Sequence, residues 1–368
     1  MSELSPDSSR PTGRPLLIKI IAAAVIVIAV GAGVFFFLPP DPYSLRRSDW
    51  KTFVSRFVGA EGRVIDTGNG DVSHTEGQGY GMLLAVAFSD RKTFDRMWSW
   101  TQTHMKRPED AFFSWKWTPA DGGKIADPNT ASDGDLLIAW ALLRAFEKWG
   151  DLNYQRGAGM LLAEFQAKAI VDTYLGKQMI PGQIGFTREN GVILNPSYSI
   201  FPAYNELKRT FPSPAWQALT DGGLKLVANA GFGKWKLSAN WVLVGEDELS
   251  LAPGKPTDFG YDAIRVPLHI AWADPKSPLL EPFAAFWDSL PTGFAVPATV
   301  NLVNNQFGPH SALPGMLAVR TITLAAAKGE TITVLDIPQV DSEEPYYSAS
   351  LKLLVCLAIT EAFLPEKR

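Results

Sequence analysis

The sequence contains a single cysteine, Cys356, which lies in the apolar run 351–359. One thiol cannot form a disulfide within the chain, and it cannot supply the several cysteine ligands of a structural zinc site. We therefore expect Cys356 to be a buried and unreactive side chain.

Histidine is also scarce, at four residues, and no two of them have the H-x-x-x-H spacing that holds zinc on one helix face. The chain lacks the G-x-S-x-G turn of serine hydrolases and the glycine-rich loop that cradles phosphates. The sequence therefore predicts neither a metal ion nor a cofactor. Lys and Arg number 34 against 38 Asp and Glu, so there is no basic excess for nucleic acid.

Apolar residues, by contrast, make up 46% of the chain, enough to fill the core of a large globular domain. The 12 tryptophans are many for 368 residues. We expect most of them in the core, while the remainder are suited to form flat platforms on which sugar rings stack.

Residues 20–38 form one uninterrupted apolar run that follows Arg10, Arg14 and Lys19. As a helix the run is about 28 Å long, which matches the hydrocarbon core of a bilayer. The preceding positive charges predict an uncleaved signal anchor in the inner membrane, with the rest of the chain on the periplasmic face. A cleaved signal peptide, which would release a periplasmic or secreted protein, is the alternative. Its apolar region is normally shorter and ends at a small-x-small site.

Composition sets the remaining boundaries. Residues 1–15 are polar and rich in Ser and Pro, which predicts a disordered cytoplasmic tail. Residues 16–38 contain the anchor, and residues 39–47 form a short linker. No shift in composition divides residues 48–368, so we predict one domain there.

The residue pattern of that domain predicts a series of helices separated by loops rich in Gly, Pro, Asn and Asp. In the first helix, apolar residues recur at helical spacing from Trp50, and Ser48 is expected to be the N-cap. The strongest strand signal is TITVLDI at 331–337. We predict an all-α domain with helices paired around one centre. The other helical stretches are predicted at 82–100, 136–149, 157–174, 216–230, 261–272, 279–290, 313–327 and 346–363.

Three loop motifs carry carboxylates. In SHTEGQGYGM, Glu76 precedes three glycines that would let a ligand approach the backbone. The structural alternative is that Ser73 caps a helix, that Glu76 completes a capping box, and that the glycines are tight packing positions. In ASDGD, Asp133 and Asp135 are also ordinary helix-start residues. In FGYDAIRVPL, Asp262 and Arg265 are spaced for a local ion pair.

Aromatic side chains accompany these acids. Phe113, Trp115 and Trp117 alternate at period two, which would place them on one side of an extended segment. Tyr198 lies in the turn NPSY, and Tyr346 precedes the last helix. Packing is the alternative for each of them. Carboxylates beside aromatics meet the requirement of glycoside hydrolysis, in which one acid protonates the leaving oxygen and a second activates water or attacks.

At these motifs the sequence resembles glycoside hydrolase family 8, and within it the endoglucanases encoded beside bacterial cellulose synthases. The segments EGRVIDTG, SHTEGQGYGM, NTASDGDLLIAWALL, NPSY, FGYDAIRVPL and PYYSASLKLL occur in the family's order over nearly the whole of 50–363. The resemblance implies an (α/α)6 barrel and an endo-β-1,4-glucanase. Its groove would hold a cellulose-type chain, and a cellulose synthase complex is an expected partner.

The resemblance also implies residue roles, without a cofactor. Glu76 is the proton donor and Asp262 the base that activates water. Asp133 has two family descriptions, either a nucleophile or a contact to the distorted sugar, and we adopt the second because the family inverts. Glu76 must then be protonated, so we expect a raised pKa, aided by Asp133, while Arg265 keeps Asp262 ionised. Substrate-binding residues are expected at Tyr80, Trp115, Trp117, Asp135, Tyr198, Arg265 and Tyr346.

The chain departs from the family pattern at Pro267, at His269 and in the segment 308–314, all of which concern subsite detail. Two alternatives to the endoglucanase stay open. A xylanase of the same family uses the same three acids, and a non-catalytic glucan-binding component of a polysaccharide-synthesis complex would use none of them.

Overall fold

The computed structural model describes residues 41–364. The predicted tail, the anchor and the first two residues of the linker, 39 and 40, therefore lie outside the described residues. Residues 41–44 form a turn in which Asp41 accepts hydrogen bonds from the Tyr43 amide and the Ser44 hydroxyl. Residues 45–364 form one compact unit.

Eleven α-helices occur among the described residues, and they match most of the predicted stretches. They are α1 Arg47–Phe57, α2 Thr75–Ala87, α3 Arg91–His104, α4 Ser132–Trp149, α5 Leu152–Lys168, α6 Phe201–Thr210, α7 Pro214–Asn229, α8 Arg265–Ala273, α9 Glu281–Asp288, α10 Pro314–Lys328 and α11 Tyr346–Ala362.

Contacts between helices close a ring in the order α2, α4, α6, α8, α11 and back to α2. The other helices pack outside it: α3 on α2, α5 on α4, α7 on α6, α1 and α10 on α11, and α9 on α10. Helices α2, α8 and α11 are buried over most of their length and lack a polar face, as expected of an inner layer. The predicted mainly helical domain, with its helices paired around one centre, is confirmed.

Glycines allow the inner helices α2 and α4 to approach closely. A Cβ atom on Gly79 would lie 2.5 Å from Leu137 Cβ, and one on Gly134 would lie 2.1 Å from Thr75 Oγ1. These two contacts bring the N-termini of α2 and α4 together, and the packing role considered for the Gly79 motif is confirmed.

Three helix predictions need correction. The stretch 82–100 is two helices, because Ser89 has a left-handed φ of 60° and the Asp90 side chain caps α3 by accepting from the Thr93 amide. Ser48 is not an N-cap, since α1 already begins at Arg47. The predicted stretch 157–174 is helical only to Lys168.

The described residues also contain thirteen short strands, so the domain is not strictly all-α. The strands form small sheets in the loops and are β1 Ser73–His74, β2 Lys116–Thr118, β3 Lys124–Asp127, β4 Ile170–Thr173, β5 Gly176–Met179, β6 Thr187–Arg188, β7 Gly191–Leu194, β8 Gly231–Phe232, β9 Leu237–Ser238, β10 Val242–Val244, β11 Leu249–Leu251, β12 Asp258–Phe259 and β13 Val300–Asn301.

The strand predicted at 331–337 is wrong. Val334–Asp336 is a 3-10 turn that begins with a capping box. The Thr333 amide and hydroxyl both donate to Asp336 Oδ2 at 2.8 Å. The amide therefore has its hydrogen-bond partner within the turn and does not pair with a neighbouring strand.

Candidate active site

Glu76 lies in the first turn of α2, at the end of β1. His74 is the N-cap of this helix, and its Nδ1 accepts a hydrogen bond of 2.9 Å from the Gly77 amide. The Ser73 hydroxyl instead donates to the Val64 carbonyl. The capping-box alternative for Ser73 and Glu76 is therefore wrong, and the Glu76 carboxylate is free for another role.

Asp133 comes from the first turn of α4, where it is buried. The close approach at Gly134 sets it beside Glu76, and the two carboxyl groups share a hydrogen bond. Its Oδ1 also accepts from the Gly134 amide at 2.8 Å. Among the described residues the Ser132 hydroxyl has no hydrogen-bond partner. The ASDGD segment thus brings a second carboxyl to Glu76, beyond starting a helix.

Arg265 connects the third acid to the first two. Its guanidinium is buried; Nη1 donates to Glu76 Oε2, and Nη2 donates to Asp262 Oδ1 at 3.2 Å. Nη1 also lies 3.9 Å from Asp133 Oδ2. The predicted Asp262–Arg265 pair is confirmed and extends to all three acids. Because one guanidinium spans both bonds, the bonded oxygens of Glu76 and Asp262 lie within roughly 8 Å of each other.

The proton balance of the Glu76–Asp133 pair differs from expectation. Burial raises the pKa of Glu76, but the charges of Arg265 and His74 and hydrogen bonds from Asp133 and Arg265 outweigh it, and the net pKa is lowered. Burial and the charge of Glu76 raise the pKa of Asp133 well above its usual value. Two contacting carboxyls cannot both ionise cheaply. Arg265 therefore favours the shared proton on Asp133 over Glu76, which is opposite to the expected rise in the pKa of Glu76.

The ionised form of Asp262 is less strongly stabilised than that of Glu76. Burial raises its pKa, while the charge of Arg265 and the side chains of Trp241 and Asn195 oppose the rise. His269, on α8 next to this cluster, is buried, and its burial together with the charge of Arg265 lowers its pKa to about 3. His269 is therefore neutral near pH 7 and adds no charge to the site.

The three acids lie where two cavities meet. One has a volume of about 560 Å³ and the other about 520 Å³, and both are lined by His74, Glu76 and Asp262. Because both cavities share these lining residues, they are two halves of one cleft. Glu76 and Asp262 lie at the junction of the two halves. Aromatic side chains line each half: Trp115, Phe186, Tyr198 and Trp241 in the first, and Tyr261 and Tyr347 in the second.

The predicted substrate-binding residues fall into three groups. Trp115, Tyr198 and Arg265 line the cleft. Tyr80 and Tyr346 are buried behind it, and Arg265 Nη1 lies 3.3 Å from the Tyr80 hydroxyl.

The other two predicted residues do not line these cavities. Asp135 is buried and accepts from the Phe113 amide at 3.1 Å. Trp117 packs against Trp100 and under Arg63. A register shift between Lys116 and Trp117 breaks the alternation that would have placed Trp117 beside Trp115.

Six residues that line the cleft were not predicted to bind substrate. They are Asn69, Phe186, Trp241, Lys255, Tyr261 and Tyr347. Tyr347 follows Tyr346 in PYY, and Tyr261 precedes Asp262, so their adjacency to a motif was the available signal. Trp241 lies at the start of the short strand β10, where no motif marks it.

Within residues 41–364 there is no group of three or more His, Cys, Asp or Glu side chains arranged to hold a metal ion. None of the helices in that range is long and apolar enough to cross a membrane.

Comparison with known proteins gives a consistent family match. The model of the family "Glycosyl hydrolases family 8" matches residues 38–361. An endoglucanase from Cellulomonas uda is 40% identical over 314 residues, which cover 84% of this chain and 83% of the relative.

Two solved structures are similar over most of their length. An endoglucanase from Klebsiella pneumoniae has a TM-score of 0.79 and 41% identity, covering 85% of this chain and 99% of that one. An endo-β-1,4-glucanase from Acetobacter xylinum has a TM-score of 0.78 and 36% identity, covering 89% of this chain and 100% of that one.

Proposed function

The chain belongs to family 8 of the glycosyl hydrolases, and we propose that it is an endo-β-1,4-glucanase that hydrolyses internal bonds of cellulose-type chains. The observation that carries this proposal is the position of Glu76 and Asp262, joined by Arg265, midway along an aromatic-lined cleft. The endoglucanases that resemble the chain over most of its length support the same activity.

The shape of the cleft favours cleavage within a chain over cleavage at an end. Cavity continues on both sides of the acids, and each side carries aromatic faces on which glucose rings can stack. A polymer can therefore lie across Glu76 and Asp262 with sugars bound on both sides of the cleaved bond.

We infer an inverting reaction in which Glu76 is the general acid and Asp262 the general base. Glu76 donates a proton to the leaving O4 oxygen as its bond to C1 breaks. Asp262 takes a proton from the water that attacks C1 from the opposite face. Inversion needs carboxyl groups about 6.5–9.5 Å apart to leave room for that water, and the Glu76–Arg265–Asp262 bridge permits this spacing.

Asp133 supplies the proton in this scheme, besides contacting the sugar at the cleavage site. It holds the shared proton in the free protein and is hydrogen-bonded to Glu76. When a glucan chain fills the cleft and excludes water, the proton passes across this hydrogen bond to Glu76. Asp133 is then ionised beside the developing positive charge of the sugar ring, which stabilises the transition state.

Hydrolysis of carboxymethyl cellulose tests this function directly. A chain of residues 40–368 should lower the viscosity of the polymer quickly, as internal cleavage does, and should act more slowly on xylan. Glu76→Gln keeps the shape of the side chain but cannot donate the proton, so turnover should fall by about 10²–10⁴-fold. Preferred hydrolysis of xylan would favour the xylanase alternative.

Absence of activity on both polymers, with cellulose binding retained, would favour the non-catalytic alternative. Turnover by Glu76→Gln within a few-fold of the unmodified chain would remove Glu76 from the mechanism. Unfolding temperatures of the two proteins serve as the control that the substitution leaves the fold intact.

A further inference from the structure

A second aromatic surface lies outside the cleft. Trp235 is at the turn between β8 and β9, and Phe307 and Phe294 lie in the loops on either side of β13. We call these three side chains the outer platform. Phe294 is 47% exposed and Phe307 38%, and no other phenylalanine between residues 41 and 364 is as exposed. Clustered exposed aromatics of this kind usually mark a binding surface.

The rings of the outer platform are held in place. Trp235 and Phe307 stack with centroids 5.6 Å apart and planes 22° apart, and Phe294 adjoins Phe307 at 5.7 Å. Trp235 also meets the edge of Phe286 at 5.2 Å, and its Nε1 donates to Ser289 Oγ at 3.0 Å. A ring fixed in this way loses little conformational entropy when a ligand stacks on it.

The two loops that carry Trp235 and Phe307 are tied to each other. Asn305 Oδ1 accepts a hydrogen bond of 2.6 Å from the Lys234 amide. Asn301 Oδ1 accepts from the Val303 and Asn304 amides, which fixes the second loop. The loops that carry Trp235 and Phe307 are therefore fixed relative to each other.

A cavity of about 410 Å³ adjoins the outer platform at Phe294. Arg320 lines it, and Arg320 Nε has no hydrogen-bond partner among the described residues. The nearby Asp288 is paired instead with Lys328, at 2.9 Å. A guanidinium N–H beside an aromatic ring suits a ligand with hydroxyl oxygens and a flat apolar face, which is the chemistry of a pyranose.

The outer platform repeats an arrangement found in the catalytic cleft. In the cleft, Trp241 and Phe186 stack at 5.8 Å and 16°, with Lys255 Nζ 4.6 Å from the Trp241 ring. In the outer platform, Trp235 and Phe307 stack at 5.6 Å and 22°, with Lys234 Nζ 4.9 Å from the Trp235 ring.

The same three residue types thus recur in the same geometry. Neither cavity of the cleft is lined by a residue of the outer platform. One ligand chemistry therefore fits two separate places on the molecule.

We propose that the outer platform is a second, non-catalytic binding surface for a β-1,4-glucan chain. The identity of the polymer rests on the proposed function, because the platform is matched to the ligand of the cleft. A surface of this kind would hold the enzyme on a long or insoluble chain while the cleft acts, and it would contribute nothing to substrates only a few sugars long.

Retention on insoluble cellulose tests the proposal. The measurement uses residues 40–368 with Asp262→Asn, so that the polymer is not digested and the contribution of the cleft stays constant. In this background Trp235→Ala and Phe307→Ala should each weaken binding to cellulose at least about fivefold. Tyr174→Ala, which removes a 44% exposed aromatic far from both sites in sequence, is the matched control and should change binding less than twofold.

The same substitutions in the active chain should leave turnover of cellotetraose within about twofold. Phe307 is exposed, so its variant remains informative if Trp235→Ala unfolds. Unchanged cellulose retention in Phe307→Ala, or an equal loss in Tyr174→Ala, would overturn the proposal. Lack of carboxymethyl cellulose hydrolysis by the unmodified chain would instead overturn the proposed function, and the binding measurement would still stand on its own.

Discussion

Arg265 contacts all three of the acids that we propose for catalysis. Its guanidinium reaches Glu76, a residue 189 positions away in the sequence, as well as its neighbour Asp262. In a buried site an ion pair with Arg favours the ionised carboxylate, so we propose that the proton of the pair resides on Asp133 and not on Glu76. The resting state is therefore one proton transfer away from the state that protonates the leaving group.

Asp133→Asn should expose this dependence in the pH profile. Activity should fall, and the alkaline limb of kcat/KM should move to lower pH. The reason is that Arg265 still lowers the pKa of Glu76, while no neighbour carries a proton for it. The acidic limb reports Asp262, which must lose its proton, and it should stay in place. The profile is measured on a soluble cello-oligosaccharide, and an unmoved alkaline limb would show that Asp133 does not store the proton.

For single residues, the three acids could be selected from the sequence, but the direction of the pKa shift of Glu76 could not. Glu76, Asp133 and Asp262 each stand in a motif that can be read locally. The lowered pKa of Glu76 depends on contacts across the fold, and the role of His74 as the N-cap depends on β1 delivering its ring to the Gly77 amide. Neither follows from spacing along the chain.

Among the secondary-structure elements, the contact between α2 and α4 positions Glu76 against Asp133. It depends on glycines, because a Cβ on Gly79 would overlap Leu137 and one on Gly134 would overlap Thr75. This close approach therefore brings together Glu76 and Asp133, the pair that we propose for proton transfer.

Gly79→Ala should consequently lower the free energy of unfolding by about 1–3 kcal/mol, the usual cost of overpacking a core, and should reduce turnover. Gly159→Ala is the matched control within a helix, since its nearest neighbour would be Phe211 Cε2 at 4.0 Å. There the substitution should stabilise the protein by about 0.5–1 kcal/mol through helix propensity. Urea unfolding of both variants makes the comparison, and equal effects would contradict the packing account.

Most of the helices could be predicted from their apolar patterns, including the short helices α8 and α9, whereas α6 and the strands could not. Helices α4 and α11 carry runs of 17 or 18 residues that match their predicted stretches within a few residues. Helix α6 has only 10 residues, begins with Phe201-Pro202 and follows a turn, so it went unrecognised. Strands of two to four residues are too short to show a period, and they form because neighbouring loops meet.

For the whole molecule, we propose that residues 20–38 anchor the enzyme in the inner membrane. The support is the length of the apolar run and the basic residues before it. The native protein should fractionate with membranes, resist a high-salt wash and keep an intact N-terminus. A mature chain that begins near residue 40 and appears in the soluble fraction would establish the cleaved alternative.

The central claim is that Glu76 and Asp262 act on opposite faces of one sugar, with water between the base and C1. The stereochemistry of the first product tests it most directly. Proton NMR of a cello-oligosaccharide digest, recorded within the first minutes before mutarotation, distinguishes the anomers. Direct attack of water on the β-linkage predicts the α-anomer as the first product. If the β-anomer appears first, the reaction passes through a covalent intermediate, and Asp133 or another acid is the nucleophile.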